Sequence, residues 1–142
     1  MFSLTTSPII PSDLLSTIPE SCGGVVTFEG RVRNHHQGRE VLKLEYSAHP
    51  VLAESEGEQV MVDALARFPE VTLARAVHRH GTHNLGDIAV LVIVASSHRA
   101  EAFEACRWII DEIKHRVPIW KNEFYRDGTS EWTGCEGCRH AH

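Results

Sequence analysis

Residues 96–121 read SSHRAEAFEACRWIIDEIKHRVPIWK and contain the clearest helical pattern in the chain. At about 100° per residue, their apolar side chains fall in one arc roughly 120° wide, with charged side chains opposite. This pattern predicts an amphipathic helix over about residues 98–116, lying on a core. The predicted arc consists of Ala102, Phe103, Cys106, Ile109, Ile110 and Ile113.

Three side chains of this helix break its pattern. Arg99 projects from the middle of the apolar arc, Lys114 lies at the edge of the arc in the last turn, and Trp108 lies among the charges. An arginine in an apolar arc must extend its head group to solvent or bind something. A tryptophan amid charges indicates a protein–protein surface, such as a homodimer contact. These three residues are therefore the ones in the helix that indicate a function.

Length and composition are those of one globular domain, which we expect to comprise residues 1–142. The chain has 42% hydrophobic and 23% charged residues and a formal net charge of −5, which argues against nucleic acid as a partner. Its longest apolar run, residues 88–95, is too short to span a bilayer, and the N-terminus lacks the pattern of a signal peptide. We therefore expect a cytoplasmic protein with no membrane partner.

The remaining patterns predict an α+β domain. Strands are predicted at residues 25–32, 41–47, 71–79 and 87–95, with residues 118–124 extended. The first two strands flank a polar loop and are expected to form a hairpin, whereas residues 88–95 are expected to be a central strand. A second helix should run from Pro50 to about Arg67, although Gly57 weakens this prediction by about 1 kcal/mol.

The two ends of the chain carry weaker patterns. Residues 1–22 are expected to form an N-terminal extension with a helical turn at 12–16. Residues 134–142 are expected to be a flexible tail. The tail contains Cys135, Cys138 and His140, which are ligand types of a tetrahedral zinc site. A structural metal there is one interpretation, and a free or redox-labile tail is the other. Cys106, in contrast, faces the apolar arc and is expected to be a buried, inert thiol.

The sequence SSHR at residues 96–99 is a candidate anion site, because it follows a strand and opens a helix. Free backbone N–H groups and the positive end of the helix dipole favour anions there, and Arg99 adds a forked donor suited to phosphate. Serine capping beside a solvated arginine is the plain alternative. The position of Arg99 in the apolar arc favours the anion site.

Lys114 and Lys121 form a second candidate site, at the other end of the helix. A lysine in the last turn of a helix is favourable without any further role, and a charged loop such as the one that carries Arg33 is most often only a solvated turn. Together, however, the two lysines and the rigid segment between them can form a pocket. A partly desolvated lysine can serve there as acid, base or acyl acceptor.

Two long motifs resemble a known family. They are VVTFEGRVRNHHQGREVLKLEY at residues 25–46 and the stretch at residues 96–121, accompanied by EW at 131–132. Together they resemble the large, catalytic subunit of molybdopterin synthase, over about residues 22–133. The resemblance implies an α/β hammerhead fold with an additional antiparallel β-sheet. It also implies a homodimer that binds two small subunits, giving a heterotetramer. The chain departs from the family pattern at His36 and in its Cys-rich tail.

The resemblance also implies a reaction and its partners. The small subunit is then a ubiquitin-like sulfur carrier whose C-terminal Gly-Gly ends in a thiocarboxylate. Its sulfur converts cyclic pyranopterin monophosphate to molybdopterin in molybdenum cofactor biosynthesis, and the catalytic chain needs no cofactor. On matching positions the implied catalytic residues are Lys114 and Lys121. The implied substrate-binding residues are Arg33, His98, Arg99, Phe28 and Ile110.

The chemistry of these residues agrees with such a reaction. Arginines and a helix N-terminus suit a cyclic phosphate, and a lysine pair can stabilise a leaving carboxylate and transfer protons. One competing hypothesis is a non-catalytic metal-binding or scaffold module that uses the CxxC tail and the Trp108 surface. Another is a sensor that binds a pterin phosphate without converting it.

The distance between Arg99 and Lys114 limits how they can act together. Fifteen residues separate them, which is about 22 Å along a straight helix. One small pterin cannot easily contact both within a single chain. We therefore expect His98 and Arg99 to complete the Lys114/Lys121 site of a neighbouring subunit.

Overall fold

The computed structural model describes residues 1–15 and 17–134, which contain three helices and nine strands. They form one domain with two β-sheets and two long helices, which confirms the predicted α+β class with an additional antiparallel sheet. None of the helices in these residues is long and apolar enough to cross a membrane. In chain order the elements are β1 (Phe2–Thr5), α1 (Pro11–Leu15), β2 (Gly24–Arg31), β3 (His35–His36), β4 (Arg39–Ala48), α2 (Pro50–Arg67), β5 (Val71–Arg79), β6 (Gly81–Asn84), β7 (Ile88–Ser96), α3 (Arg99–Arg116), β8 (Ile119–Tyr125) and β9 (Ser130–Thr133).

The first sheet has the strand order β1-β5-β7-β2 and carries the main core. β7 lies between two antiparallel neighbours, and its residues 89–96 are all buried. This confirms the predicted central strand, because a strand that is covered on both faces must be apolar on both. α2 and α3 pack side by side on one face of this sheet. Their buried side chains, including Met61 and Ile109, meet Val92 of β7 in one continuous core.

The second sheet has the order β3-β4-β8-β9, with β6 also paired to β4. β2 pairs with β7 in the first sheet, whereas β4 pairs with β8 and β6 in the second. The predicted hairpin between residues 25–32 and 41–47 is therefore wrong. The local turn is smaller and joins β3 to β4 through Gln37 and Gly38, which have φ angles of 49° and 78°. Two consecutive positive φ angles are what a tight two-residue hairpin needs.

α3 forms as predicted, but the side that it buries is rotated relative to the predicted arc. Ala105 is buried, whereas Phe103, which was predicted in the arc, is 61% exposed. Trp108 is half-buried rather than a surface residue, with its ring centroid 6.1 Å from that of Phe68. The neighbouring helix explains both differences. α2 is capped by Phe68 and lies against the side of α3 that carries Ala105 and Trp108, which leaves the opposite side of α3 open.

The first 22 residues include a strand that the sequence analysis missed. β1 pairs in parallel with β5, so that Phe2 lies opposite Ala76, while the predicted helical turn is present as α1. Phe2 is 8% exposed and covers Gly57 of α2. A Cβ at Gly57 would lie only 2.2 Å from the Phe2 ring. The glycine that weakens α2 by propensity is therefore the residue that makes room for β1.

Gly57→Ala is expected to lower the free energy of unfolding by about 1–2 kcal/mol, because an overpacking cost of up to about 3 kcal/mol outweighs the gain of about 1 kcal/mol in helix propensity. Chemical denaturation measures this change. In a Phe2→Ala background the same substitution should be neutral or stabilising, because the ring that it meets is gone. A cost that persists in that background would show that Phe2 is not the obstacle.

Candidate active site

Lys114 lies at the end of the first sheet where β7 begins and β5 ends. α3 starts beside Gly24, where an added Cβ would lie 3.1 Å from the backbone of Arg99, and it runs back along β7 for about 27 Å. Its last turn therefore lies near Val90, which pairs with His78 of β5. Lys114 is exposed, and its positive charge acts on His78.

Lys121 lies on β8 and is held by a buried carboxylate. Its Nζ is 3.1 Å from Oε1 of Glu123, which is 3% exposed. The Tyr125 hydroxyl donates a second hydrogen bond of 3.0 Å to the same carboxylate. Residues two apart in a strand share a face, so these three side chains form a row. Because an unpaired buried carboxylate is costly, this row fixes the position of the lysine.

Arg33 follows β2 and reaches the same row through His36. Its Nη2 lies 3.2 Å from Nδ1 of His36, and that nitrogen lies 3.9 Å from Oε1 of Glu123. An arginine nitrogen can only donate a hydrogen bond, so Nδ1 of His36 is the acceptor in this contact. The structure thus brings Arg33 and Lys121 together at one site.

Tyr46 connects Lys121 to the Lys114 end of the site. It lies on β4 directly opposite Lys121, and its ring makes an edge contact with His78, with 5.1 Å between ring centroids. Burial, together with the charge of Glu123, raises the pKa of Tyr46 to about 12. Burial lowers the pKa of His78 to about 4, and the charge of Lys114 acts in the same direction. Both rings are therefore neutral at neutral pH.

His98 and Arg99 lie at the opposite end of α3, away from this group. His98 is the N-cap residue, but its side chain makes no capping hydrogen bond. The Ser96 hydroxyl instead donates to the His98 carbonyl. Both basic side chains are exposed. About 22 Å of helix separates Arg99 from Lys114, so the structure does not bring the two ends together within one chain.

Phe28 and Ile110 lie between the two ends. Ile110 is one turn before Lys114 and is 7% exposed within the core. Phe28 is 37% exposed on the edge strand β2. It pairs with Val92, a core residue beneath the helices, so its ring lies on the face of the sheet that carries α3. Both side chains are therefore apolar groups on the face of the first sheet that carries α3.

Metal ligands are not clustered within residues 1–15 and 17–134, where no group of three or more His, Cys, Asp and Glu side chains could hold a metal ion. The candidate ligands Cys135, Cys138 and His140 lie outside the described residues. Cys106 is buried, and burial raises the pKa of its thiol to about 11. It therefore remains protonated and unreactive, as predicted.

Three residues of this site were missed in the sequence analysis, namely Glu123, Tyr46 and His78. Lys121 and Glu123 are two residues apart in an extended segment, and this spacing predicts that their side chains share a face. Tyr46 lies in a predicted strand, but nothing local indicated which strand would face it. His78 had no local signal, because it is buried against Tyr46, a residue of the second sheet that is distant in the sequence.

A family model described as MoaE protein matches residues 4–116 of this chain. The chain belongs to the MoaE family. It is 48% identical over 120 residues to the molybdopterin synthase catalytic subunit of Pyrococcus abyssi, across 84% of this chain and 78% of that protein. These matches confirm the resemblance found in the sequence. They place this MoaE chain among the catalytic subunits of molybdopterin synthase, enzymes of molybdenum cofactor biosynthesis.

Solved MoaE structures share the fold. Molybdopterin synthase from Staphylococcus aureus is similar with a TM-score of 0.86 and 37% identity, over 92% of this chain and 95% of that one. A chain from a Helicobacter pylori protein–protein complex of subunits 1 and 2 of molybdopterin-converting factor is similar with a TM-score of 0.73 and 20% identity. That match covers 93% of this chain and 89% of the other, and at this identity it shows only that the two chains share a fold.

Proposed function

We propose that this MoaE chain transfers sulfur to cyclic pyranopterin monophosphate from the C-terminal thiocarboxylate of a small ubiquitin-like carrier. The observation that carries the proposal is the grouping of Lys114, Lys121 and Arg33 at one end of the first sheet, in a chain of this family. Arginine and lysine side chains suit a phosphate-bearing substrate. Glu123 balances the charge of Lys121, whereas the neutral rings of Tyr46 and His78 add no negative charge beside Lys114.

The lysines have two tasks in this reaction. The thiocarboxylate sulfur is the nucleophile, so the chain needs no catalytic serine or cysteine. Once the sulfur is bonded to the pterin, water adds to the acyl carbon of the carrier, and a nearby cation stabilises the negative charge that develops on the acyl oxygen. The carbon–sulfur bond then breaks, which leaves the sulfur on the pterin as a thiolate and a carboxylate on the carrier. Lys121, held in place by Glu123, suits the fixed cation. Lys114 then transfers the protons that substrate and product exchange.

The sulfur donor is a second polypeptide in this proposal. An extended Gly-Gly tail needs a narrow path and backbone hydrogen-bond partners. The Helicobacter pylori protein that shares this fold was solved as a complex of two different subunits, so the fold is compatible with an association of this kind. We infer a homodimer of this chain with one carrier bound to each copy, which gives a heterotetramer.

His98 and Arg99 are proposed to act in the site of the partner copy. The edge strand β2 has β7 on one side, and its other edge is unpaired within the described residues. Antiparallel pairing of two β2 edges about a two-fold axis would extend the sheet. The two α3 helices would then lie side by side in opposite directions, with Arg99 next to the partner's Lys114.

The open side of α3 supports this arrangement. At about 100° per residue, Arg99, Phe103, Ile110 and Lys114 fall within one narrow stripe, on the side away from α2. Phe103 and Phe28, which are 61% and 37% exposed, flank this opening and would be covered by a second copy. Two such stripes in opposite directions place cations at both ends and apolar groups between them. The cations would then surround an anionic substrate.

A turnover assay tests the proposed function. Purified chain, the cyclic pterin monophosphate and thiocarboxylated carrier are expected to yield molybdopterin, and omission of any one of them should stop the reaction. A carrier that ends in an ordinary carboxylate is the matched control, because it docks without sulfur to transfer. Binding of the pterin without conversion in the complete mixture would favour the sensor hypothesis instead.

A further inference from the structure

Two buried histidines pack against Tyr46 in the same manner. The ring centroids of His78 and His83 both lie 5.1 Å from that of Tyr46, at interplanar angles of 75° and 74°. The exposed fractions of the two residues are 7% and 0%. In each ring Nδ1 lies 2.9 Å from a backbone carbonyl, that of Arg79 for His78 and that of Gly81 for His83. The two histidines therefore form a matched pair.

The carbonyl contacts determine where each ring keeps its proton. A carbonyl oxygen can only accept a hydrogen bond, so Nδ1 is the donor in both rings. In a neutral imidazole the other nitrogen, Nε2, then carries a lone pair and can accept. Each ring thus presents one acceptor to its surroundings.

The two rings differ in what surrounds them. His78 pairs with Val90, whose side chain lies in the core beneath the helices, so its ring is on the helix face of the sheet. The last turn of α3, with Lys114, ends over the same position. The ring of Tyr46 from β4 lies against His78, and the charges that act on His78 are those of His83 from β6, Lys114 from α3 and His80. The charges that act on His83 are those of Arg79, Asp87 and His80.

We propose that His78 is a positioning residue for Lys114, whose ammonium it holds beside Tyr46 and Lys121 by accepting a hydrogen bond at Nε2. The ring orients the lysine without cancelling its charge, because it is uncharged itself. Glu123 holds Lys121 differently, through an ion pair of 3.1 Å. Lys114 is thus held by a neutral imidazole and Lys121 by a negatively charged carboxylate. This difference fits a proton-transferring role for Lys114 and a fixed-cation role for Lys121.

NMR titration of the lysine side chains tests the contact. The chain has only three lysines, Lys43, Lys114 and Lys121, so each Cε signal can be followed in labelled protein. His78→Phe and His83→Phe both keep a ring against Tyr46 and remove the nitrogens. Because an accepted hydrogen bond favours the charged ammonium, His78→Phe should lower the Lys114 midpoint by about half a unit to one unit. His83→Phe should leave it unchanged, and equal shifts or none would overturn the proposal.

A second readout needs no change at His78, in case that variant fails to fold. In protein labelled with 15N, Lys114→Ala removes the proposed donor to His78. The Nε2 resonance of His78 is expected to shift, while that of His83 stays where it is in the unmodified chain. An unchanged His78 resonance would overturn the contact.

The kinetic consequence rests on the proposed function, whereas the titrations do not. In the turnover assay His78→Phe should lower kcat by about 10- to 100-fold, because a displaced Lys114 ammonium transfers protons more slowly. The KM for the pterin should stay within about twofold of its wild-type value. His78→Gln, which keeps a donor and an acceptor, should recover part of the loss. An unchanged kcat would overturn the positioning role. A wild-type chain without turnover would overturn the proposed function and leave the titration results standing.

Discussion

Lys114→Ala is expected to lower the rate of sulfur transfer by about 100-fold or more, because proton transfer by a positioned side chain is worth about 10²–10⁴ in rate. Lys114 is exposed, so the thermal midpoint should change by only a few degrees. Single-turnover kinetics with thiocarboxylated carrier measure the rate. The matched control is Lys43→Ala, which removes a lysine from the other face of β4, where Nζ lies 4.8 Å from the ring centroid of Phe124. Full activity of Lys114→Ala would contradict the assignment.

Mixing this variant with Arg99→Ala shows whether two copies share a site. A heterodimer of the two variants has one site with both substitutions and one with neither, if each site takes Arg99 from one copy and Lys114 from the other. Such heterodimers are expected to recover about half of the wild-type activity, while each variant alone stays inactive. No recovery in confirmed heterodimers would show that each copy works with its own residues.

Glu123→Gln is expected to lower the titration midpoints of both tyrosines in the chain. Burial is the first cause that raises the pKa of Tyr46, to about 12, and the Glu123 charge adds to it. The pKa of Tyr125 is raised by burial and then by its hydrogen bond to Glu123. A neutral amide removes the repulsion between carboxylate and phenolate, so ionisation becomes easier. Absorbance near 295 nm follows both tyrosines, and Glu45→Gln, on the other face of β4, is the control.

The same substitution should impair catalysis more than stability. Lys121 loses its ion pair and its fixed position, so kcat should fall by about 10- to 100-fold. The Lys121 side chain is 34% exposed and can be hydrated again, so the loss in unfolding free energy should be about 1–3 kcal/mol. Unchanged tyrosine midpoints together with normal turnover would contradict the proposed role of Glu123.

Elements with strong local patterns were predictable from the sequence, and those formed by distant pairing were not. β7 and α3 have continuous or periodic apolar residues, so their type and approximate bounds followed from pattern alone. β1 and β6 have four residues each and form only by pairing with β5 and β4. The open side of α3 was misjudged at Phe103, because the wheel of one helix does not show where the next helix packs.

The basic residues of the site were predictable, whereas their supports were not. The separation of Arg99 and Lys114 along α3 follows from the regular rise of a helix and the number of residues between them. The pairing of Tyr46 with Lys121, and of its ring with His78, depends on how the second sheet crosses the end of the first. Residues from β4, β5 and β8 meet there from distant parts of the chain. No local sequence pattern predicts contacts between such distant strands.

One edge of β2 has no partner strand within residues 1–15 and 17–134, and this affects how the protein must be handled and how it assembles. An eight-residue strand, Gly24–Arg31, with open backbone donors and acceptors is a template for any other extended chain, and such edges promote aggregation. Glu29 and Arg31, whose charged groups lie 3.9 Å apart, make indiscriminate pairing less favourable. A dimer interface that covers this edge would thus keep newly made chains soluble. The same strand would bind the second copy of this chain and, once paired, be closed to unrelated extended chains.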